Sequence, residues 1–144
     1  MATIQQFEDI LAWQRARTFA QWVNEIVSTT ELSKDYKLKQ QIEGSSGSIM
    51  DNIAEGFERG GRKEFINFLS FAKGSCGEAR SQLYRLLDKG YVTQEDFELK
   101  KNELIEIGRM ISGLMRYLKS SEHKGWKFEE EEGIYLSSEA EGVV

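Results

Sequence analysis

The chain has 144 residues, 40% hydrophobic and 30% charged, with a formal net charge of −5, no proline and one cysteine. That length suits one domain with a real core, and the composition is that of a globular helical protein. No apolar run reaches the roughly 18 residues of a membrane span, a single cysteine forbids an internal disulfide, and the first eight residues lack a basic, apolar leader, so a cytoplasmic protein is expected.

Phe7 to Ser28 has the spacing of a first helix. Trp13, Ala16, Ala20, Val23 and Val27 form one stripe, and Ile10, Leu11, Phe19, Trp22 and Ile26 widen it beyond one face. A helix apolar on more than one face either sits deep in the domain or meets another subunit, which makes Trp13, Phe19 and Trp22 candidate interface residues. Ser33 reads as the N-cap of a second helix, from about Lys34 to Glu58. Its stripe is Leu38, Ile42, Ser45, Ile49, Asn52/Ile53 and Gly56. Glycine costs about 1 kcal/mol against alanine inside a helix. The glycines in Gly44-Ser45-Ser46-Gly47 and again in Gly74-Ser75-Cys76-Gly77 therefore predict two central helices in contact through small-residue faces.

Arg59-Gly60-Gly61 is a turn. A third helix follows from about Arg62 to Lys89, burying Phe65, Phe68/Leu69, Ala72, Cys76, Ala79, Leu83 and Leu86/Leu87, and Gly90 ends it. Thr93 opens a fourth, to about Leu118, with the stripe Phe97, Leu104, Ile107, Ile111, Leu114 and Leu118; Lys100 is its one polar intruder. Short links between long helices predict an all-α, antiparallel up-and-down four-helix bundle over residues 1–122.

Residues 123–144 read as an acidic C-terminal tail. Residues 129–144 hold six acids and no base, leaving 18 acids against 19 Lys and Arg in the rest, so the body is close to neutral. Such a tail is usually solvated; the other arrangement is an intramolecular or partner contact with a basic patch.

Three segments carry a resemblance: Phe7-Glu8-Asp9-Ile10-Leu11-Ala12-Trp13-Gln14-Arg15-Ala16, Ser48-Ile49-Met50-Asp51-Asn52-Ile53-Ala54-Glu55-Gly56, and Arg62 to Leu69 with Ala72-Lys73-Gly74-Ser75. Together they resemble the four-helix bundle family of 23S rRNA intervening-sequence proteins, which is similar to the accessory variability proteins of diversity-generating retroelements. The resemblance implies a protomer that assembles as a ring-like homopentamer. In the retroelement branch it implies binding to nucleic acid and to a reverse transcriptase. The chain departs from the pattern at Met50, at Glu43-Gly44 and at Gly61, where the family often has Pro, basic residues and a Ser or Thr cap.

The inventory of chemical groups is thin. His123 is the one histidine, so neither a di-iron set of Glu-x-x-His pairs nor a zinc site is available. Cys76 lies on an apolar face, the place of an inert thiol. Gly-Ser-Ser-Gly-Ser lacks the Gly-Lys-Ser/Thr of a phosphate loop. No enzyme and no cofactor is expected. Asn52 and Glu55 read as a polar network that fixes helix register. The candidate nucleic-acid contacts are Arg59, Arg62 and Lys63 at the turn before the third helix, and Arg15 and Arg17 on the first. Further basic residues, Arg109, Arg116 and Lys119, lie late in the fourth. Two functions are compatible with this: a homo-oligomeric scaffold or adaptor for RNA, DNA or a polymerase, or a structural or selfish-element product that binds no nucleic acid.

Overall fold

The computed structural model describes residues 4–120. Every described element is helical: α1 (Leu11–Thr29), α2 (Tyr36–Glu58), α3 (Arg62–Asp88) and α4 (Gln94–Ser120), with 3-10 turns at Phe7–Asp9 and Glu31–Lys34. The acidic tail and His123 lie outside the described residues.

Each helix follows from its sequence signals. The α2 cap is Asp35 rather than Ser33. The Leu38 amide donates to the Asp35 carboxylate at 3.4 Å, while Ser33 sits in the 3-10 turn that Thr30 caps. A short extra turn thus delays α2 by two residues. Gly60 and Gly90 hold φ of 83° and 79°, the left-handed geometry a helix exit needs and only glycine adopts cheaply. The Asp96 amide donates to Thr93 Oγ1 at 3.1 Å and starts α4. Gly61 gives α3 no side-chain cap.

The four helices share one apolar core. Phe19, Val23, Ile42, Ile49, Phe57, Leu69, Leu83, Ile111 and Leu118 are fully or almost fully buried in it. Side chains at three or four residue spacing on each helix bring about 1.5–3 kcal/mol of transfer free energy apiece for the larger ones. Around that core α2 touches α1 and α3, and α4 touches α3 and α1.

The α2–α3 seam is the most detailed contact. Gln41 accepts from Arg85 at 2.8 Å, Ser45 Oγ donates to Gln82 Oε1 at 2.6 Å, and Ser75 Oγ donates to Ser48 Oγ at 3.0 Å. Residue numbers rise on α2 as they fall on α3, so this pair runs in opposite directions. At the far end Gly56 meets Phe65 and Phe68: a Cβ there would stand 2.7 Å from Phe68 Cβ. The expected small-residue contact therefore exists, but through Ser45, Ser48, Ser75 and Gly56. The four glycines that prompted it, Gly44, Gly47, Gly74 and Gly77, face outward, and a Cβ at any of them would meet nothing within 4 Å. One residue, about 100° of helix rotation, separates Gly44, Gly47 and Gly74 from the serines that pack.

At the near end of the seam, Asp35 accepts from Lys89 Nζ at 2.8 Å and from the Tyr91 hydroxyl at 2.9 Å. The Lys89 bond first, and the Tyr91 bond second, hold the Asp35 carboxyl below its ordinary 3.8, and the same contact raises Tyr91 above 10.0.

Two outcomes are expected. Gly56→Ala lowers stability by about 1–3 kcal/mol, since the new methyl overlaps Phe68 Cβ, whereas Gly74→Ala and Gly77→Ala each raise it by about 0.5–1 kcal/mol. Urea denaturation checks both signs, and a stabilised Gly56→Ala protein would refute the close approach. Asp35→Asn keeps a capping oxygen but loses the charge. A carboxyl with a depressed folded pKa contributes above its unfolded pKa, and the contribution vanishes as pH falls through the folded value. The native chain should therefore exceed Asp35→Asn in urea midpoint at neutral pH and converge with it in acid; a gap constant with pH would place the effect elsewhere.

Candidate functional site

The residues singled out in the sequence occupy unlike environments. Phe19 is fully buried, so it offers no surface to a neighbour and is corrected from interface to core. Trp13 and Trp22 are half-buried against that same core. The 3-10 turn at Phe7–Asp9 brings the Phe7 ring edge-on to Trp13 at 5.1 Å. Lys100 of α4 sets its ammonium 5.2 Å from the Trp22 ring centre while pairing with Glu103 at 3.2 Å. The polar intruder of the α4 stripe is thus the lid of Trp22. Helix α1 spends its surplus apolar surface largely within its own protomer.

Asn52 and Glu55 separate as well. Asn52 Nδ2 donates to the Ser48 carbonyl at 2.8 Å and to Ser48 Oγ at 2.9 Å, joining the Ser48–Ser75 contact in the seam. Glu55 is exposed and accepts from Arg59 at 2.8 Å. The network is Asn52–Ser48–Ser75, with Ser45–Gln82 as a second buried pair, and Glu55 does not belong to it. Sequence spacing put Glu55 one turn from Asn52, but the intervening rotation carries it to solvent.

The five basic candidates are mostly engaged or isolated. Arg59 is tied to Glu55, stands 4.0 Å from Glu64 and lies over the Phe68 ring at 5.0 Å. Arg62 Nη1 donates to the Leu118 carbonyl at 3.2 Å, closing the end of α4. Arg15 lines a small cleft with Thr18, Glu103 and Ile107. Arg17 on α1 and Lys63 on α3 are exposed.

A different set of cations converges. An open groove of about 560 Å³ runs between α3 and α4, with Lys73 and Arg80 on one wall and Arg109 and Arg116 on the other. None of its lining residues is acidic. Among the described residues no carboxylate pairs with Lys73, Arg80 or Arg116, and Arg109 reaches Glu106 only at 4.0 Å. Gly77, Gly108 and Ser112 keep the floor low, with open space where a side chain would stand at either glycine. Both cation pairs have heptad spacing, Lys73 with Arg80 and Arg109 with Arg116, which puts each pair on one face of its helix. That spacing, with a glycine between the pair on α3, was the available sequence signal. Arg109 and Arg116 stand among the basic residues read from the sequence, whereas the α3 pair was missed because Gly77 was assigned to helix packing.

Four like charges in one groove repel, and so favour an anionic occupant with several spaced charges. Cys76 sits in the same wall, but burial pushes its thiol up to about 12, against a smaller opposing effect of Arg80, so it stays protonated at neutral pH. No three His, Cys, Asp or Glu side chains among the described residues are grouped to hold a metal ion.

A family model described as 23S rRNA-intervening sequence protein matches residues 8–113, which take in the seam and three of the four groove cations. The fold is similar to a crystal structure of a protein of unknown function from the S23 ribosomal protein family of Bacteroides thetaiotaomicron. The TM-score is 0.65 at 26% identity, covering 74% of this chain and 96% of that one. No curated protein matches the chain.

Asn52→Ala is expected to cost about 1–2 kcal/mol, because Ser48 Oγ loses one of its two donors in a half-buried seam and keeps only Ser75. Glu55→Ala should cost under about 0.5 kcal/mol, as an exposed ion pair contributes little. Chemical denaturation of the two variants decides between them, and equal losses would contradict the separation of Glu55 from the network.

Proposed function

The chain belongs to the family of 23S rRNA-intervening sequence proteins, and from that premise we propose that it is a non-enzymatic bundle whose α3–α4 groove binds a polyanion, foremost a single-stranded nucleic acid. The single observation that carries this is the groove itself: four cations, no acid, and a glycine floor. Phosphates along a flexible strand recur at a spacing that such a row of cations can follow, and their binding releases condensed counterions.

The reading extends to topology and assembly. The opposite directions of α2 and α3, and the Arg62 contact with Leu118 between the start of α3 and the end of α4, support an antiparallel up-and-down arrangement. The ring of five copies rests on the family resemblance. The apolar surface available for it is that of Tyr36, Phe71, Tyr84 and Leu99, which are 73%, 51%, 47% and 55% exposed, rather than that of α1. A ring would repeat the groove and so strengthen weak sites by multivalency. A reverse transcriptase as partner follows only from the likeness to the retroelement proteins. A cytoplasmic location accords with the single cysteine, and no helix among the described residues is long and apolar enough to cross a membrane.

Fluorescence anisotropy with a labelled single-stranded RNA, titrated over a range of salt, tests the groove. Four phosphate contacts give a slope of log affinity against log salt of about −3. Arg80→Ala with Arg109→Ala should reduce that slope by about 1 to 1.5, whereas Arg17→Ala with Lys63→Ala should leave it near the native value. Binding that ignores the groove pair, or no salt-sensitive binding at all, would overturn the proposal. Light scattering on the same samples reads the assembly, and a monomer at tens of micromolar would remove the ring.

A further inference from the structure

We propose that residues 129–132 of the same chain, four consecutive glutamates, occupy the α3–α4 groove and compete there with the polyanion. This rests on the groove being the binding site. Three observations meet in it: charge, reach and sequence order.

The charges match. Glu129, Glu130, Glu131 and Glu132 equal in number, and oppose in sign, the four groove cations, for which the described residues supply almost no counter-charge. Four of the six acids lie in one block, and the residues between Ser120 and that block contain Lys124 and Lys127 against Glu122, so the attraction begins at the block; Glu139 and Glu141 follow it singly.

The tether is long enough. Helix α4 ends at Ser120 and rises about 1.5 Å per residue, so Arg116 lies about 6 Å back along the helix from there and Arg109 about 16 Å. The nine residues from Ser120 to Glu129 span up to about 30 Å when extended. The block can therefore double back along α4 and reach both walls. Such a tether holds the acids at roughly millimolar effective concentration, independent of how dilute the protein is. Immediately after the acids and Gly133 come Ile134, Tyr135 and Leu136, apolar side chains of the kind that half-buried Ile105 in the groove can receive.

The mechanism is substitution of one set of anions for another. Carboxylates neutralise the groove when no polyanion is present, which suppresses weak non-specific binding. A polyanion with more charges, or several grooves to engage at once, displaces them. The competition fades as salt screens it, since exposed charges lose contact beyond about 8 Å at physiological ionic strength.

The test uses the full chain and its Glu129→Gln/Glu130→Gln/Glu131→Gln/Glu132→Gln variant, which keeps length and shape. The first readout needs no ligand. In low salt, NMR resonances of the Arg80, Arg109 and Arg116 side chains should shift between the two proteins, and raising the salt should bring the spectra together. Superimposable spectra in low salt would overturn the proposal. Shifts that scale with protein concentration would place the segment on a second copy and overturn the intramolecular form. The second readout is affinity for the labelled single-stranded RNA, expected to rise about three- to tenfold in the variant in low salt and to converge with the native value as salt increases. Shifted arginines with no RNA bound by either protein would keep the docking and remove the nucleic-acid reading. RNA bound equally by both, with unshifted arginines, would do the reverse.

Discussion

Two helices come as close as α2 and α3 do only where neither has bulk to place between them. At Gly56 the missing side chain is filled by Phe68 Cβ and the Phe65 ring, and further along serines take the place that larger residues would need. That seam fixes more than distance. Ser75 and Gln82 must point at α2, because their hydroxyl and amide complete Ser48 and Ser45 and a buried hydroxyl left alone is expensive. With about 100° of turn per residue, the same rotation carries Lys73, Gly77 and Arg80 some 140–200° round α3. They therefore lie along α4. The groove is a geometric by-product of a packing contact on the other side of the helix.

Most of the fold was legible in the sequence because apolar periodicity over long, proline-free segments is a strong signal. The stripes of α2 and α4 lie inside as expected, and helix ends marked by Gly60, Gly90 and Thr93 behave as their chemistry requires. The start of α2 was harder. Both Ser33 and Asp35 are good caps, and the choice depended on a 3-10 turn, Glu31–Lys34, that has no periodicity to read. The small residues were harder still. Glycine in a helix signals either close packing or empty space, and composition cannot tell the two apart. Gly56 belongs to the first kind; Gly44, Gly47, Gly74 and Gly77 belong to the second.

Side-chain partners that come from distant segments were the least legible. Trp22 reads as surplus apolar surface until Lys100, far away in sequence, is seen to cover it. Glu55 reads as part of a network until Arg59 is seen to take it outward. The basic residues are the clearest case. Those at the α2–α3 turn stand together in sequence, but Arg59 and Arg62 are absorbed by Glu55, Phe68 and the Leu118 carbonyl, and Lys63 points away as an exposed side chain. The ones that gather come from two helices, and neither helix taken alone carries more than a spaced pair.

Cys76, the chain's one thiol, is 5% exposed and lies in the wall between α3 and α4. A thiol-reactive reagent reaches it only when those helices part, and burial holds it in the unreactive protonated form until then. Its labelling rate is therefore a clock for local opening, with the free energy of separating α3 from α4 contained in the ratio of the observed rate to that of an unprotected thiol. No residue need be added for this. Whatever settles into the groove and holds its walls together must slow that clock, so the wild-type chain carries its own gauge of occupancy.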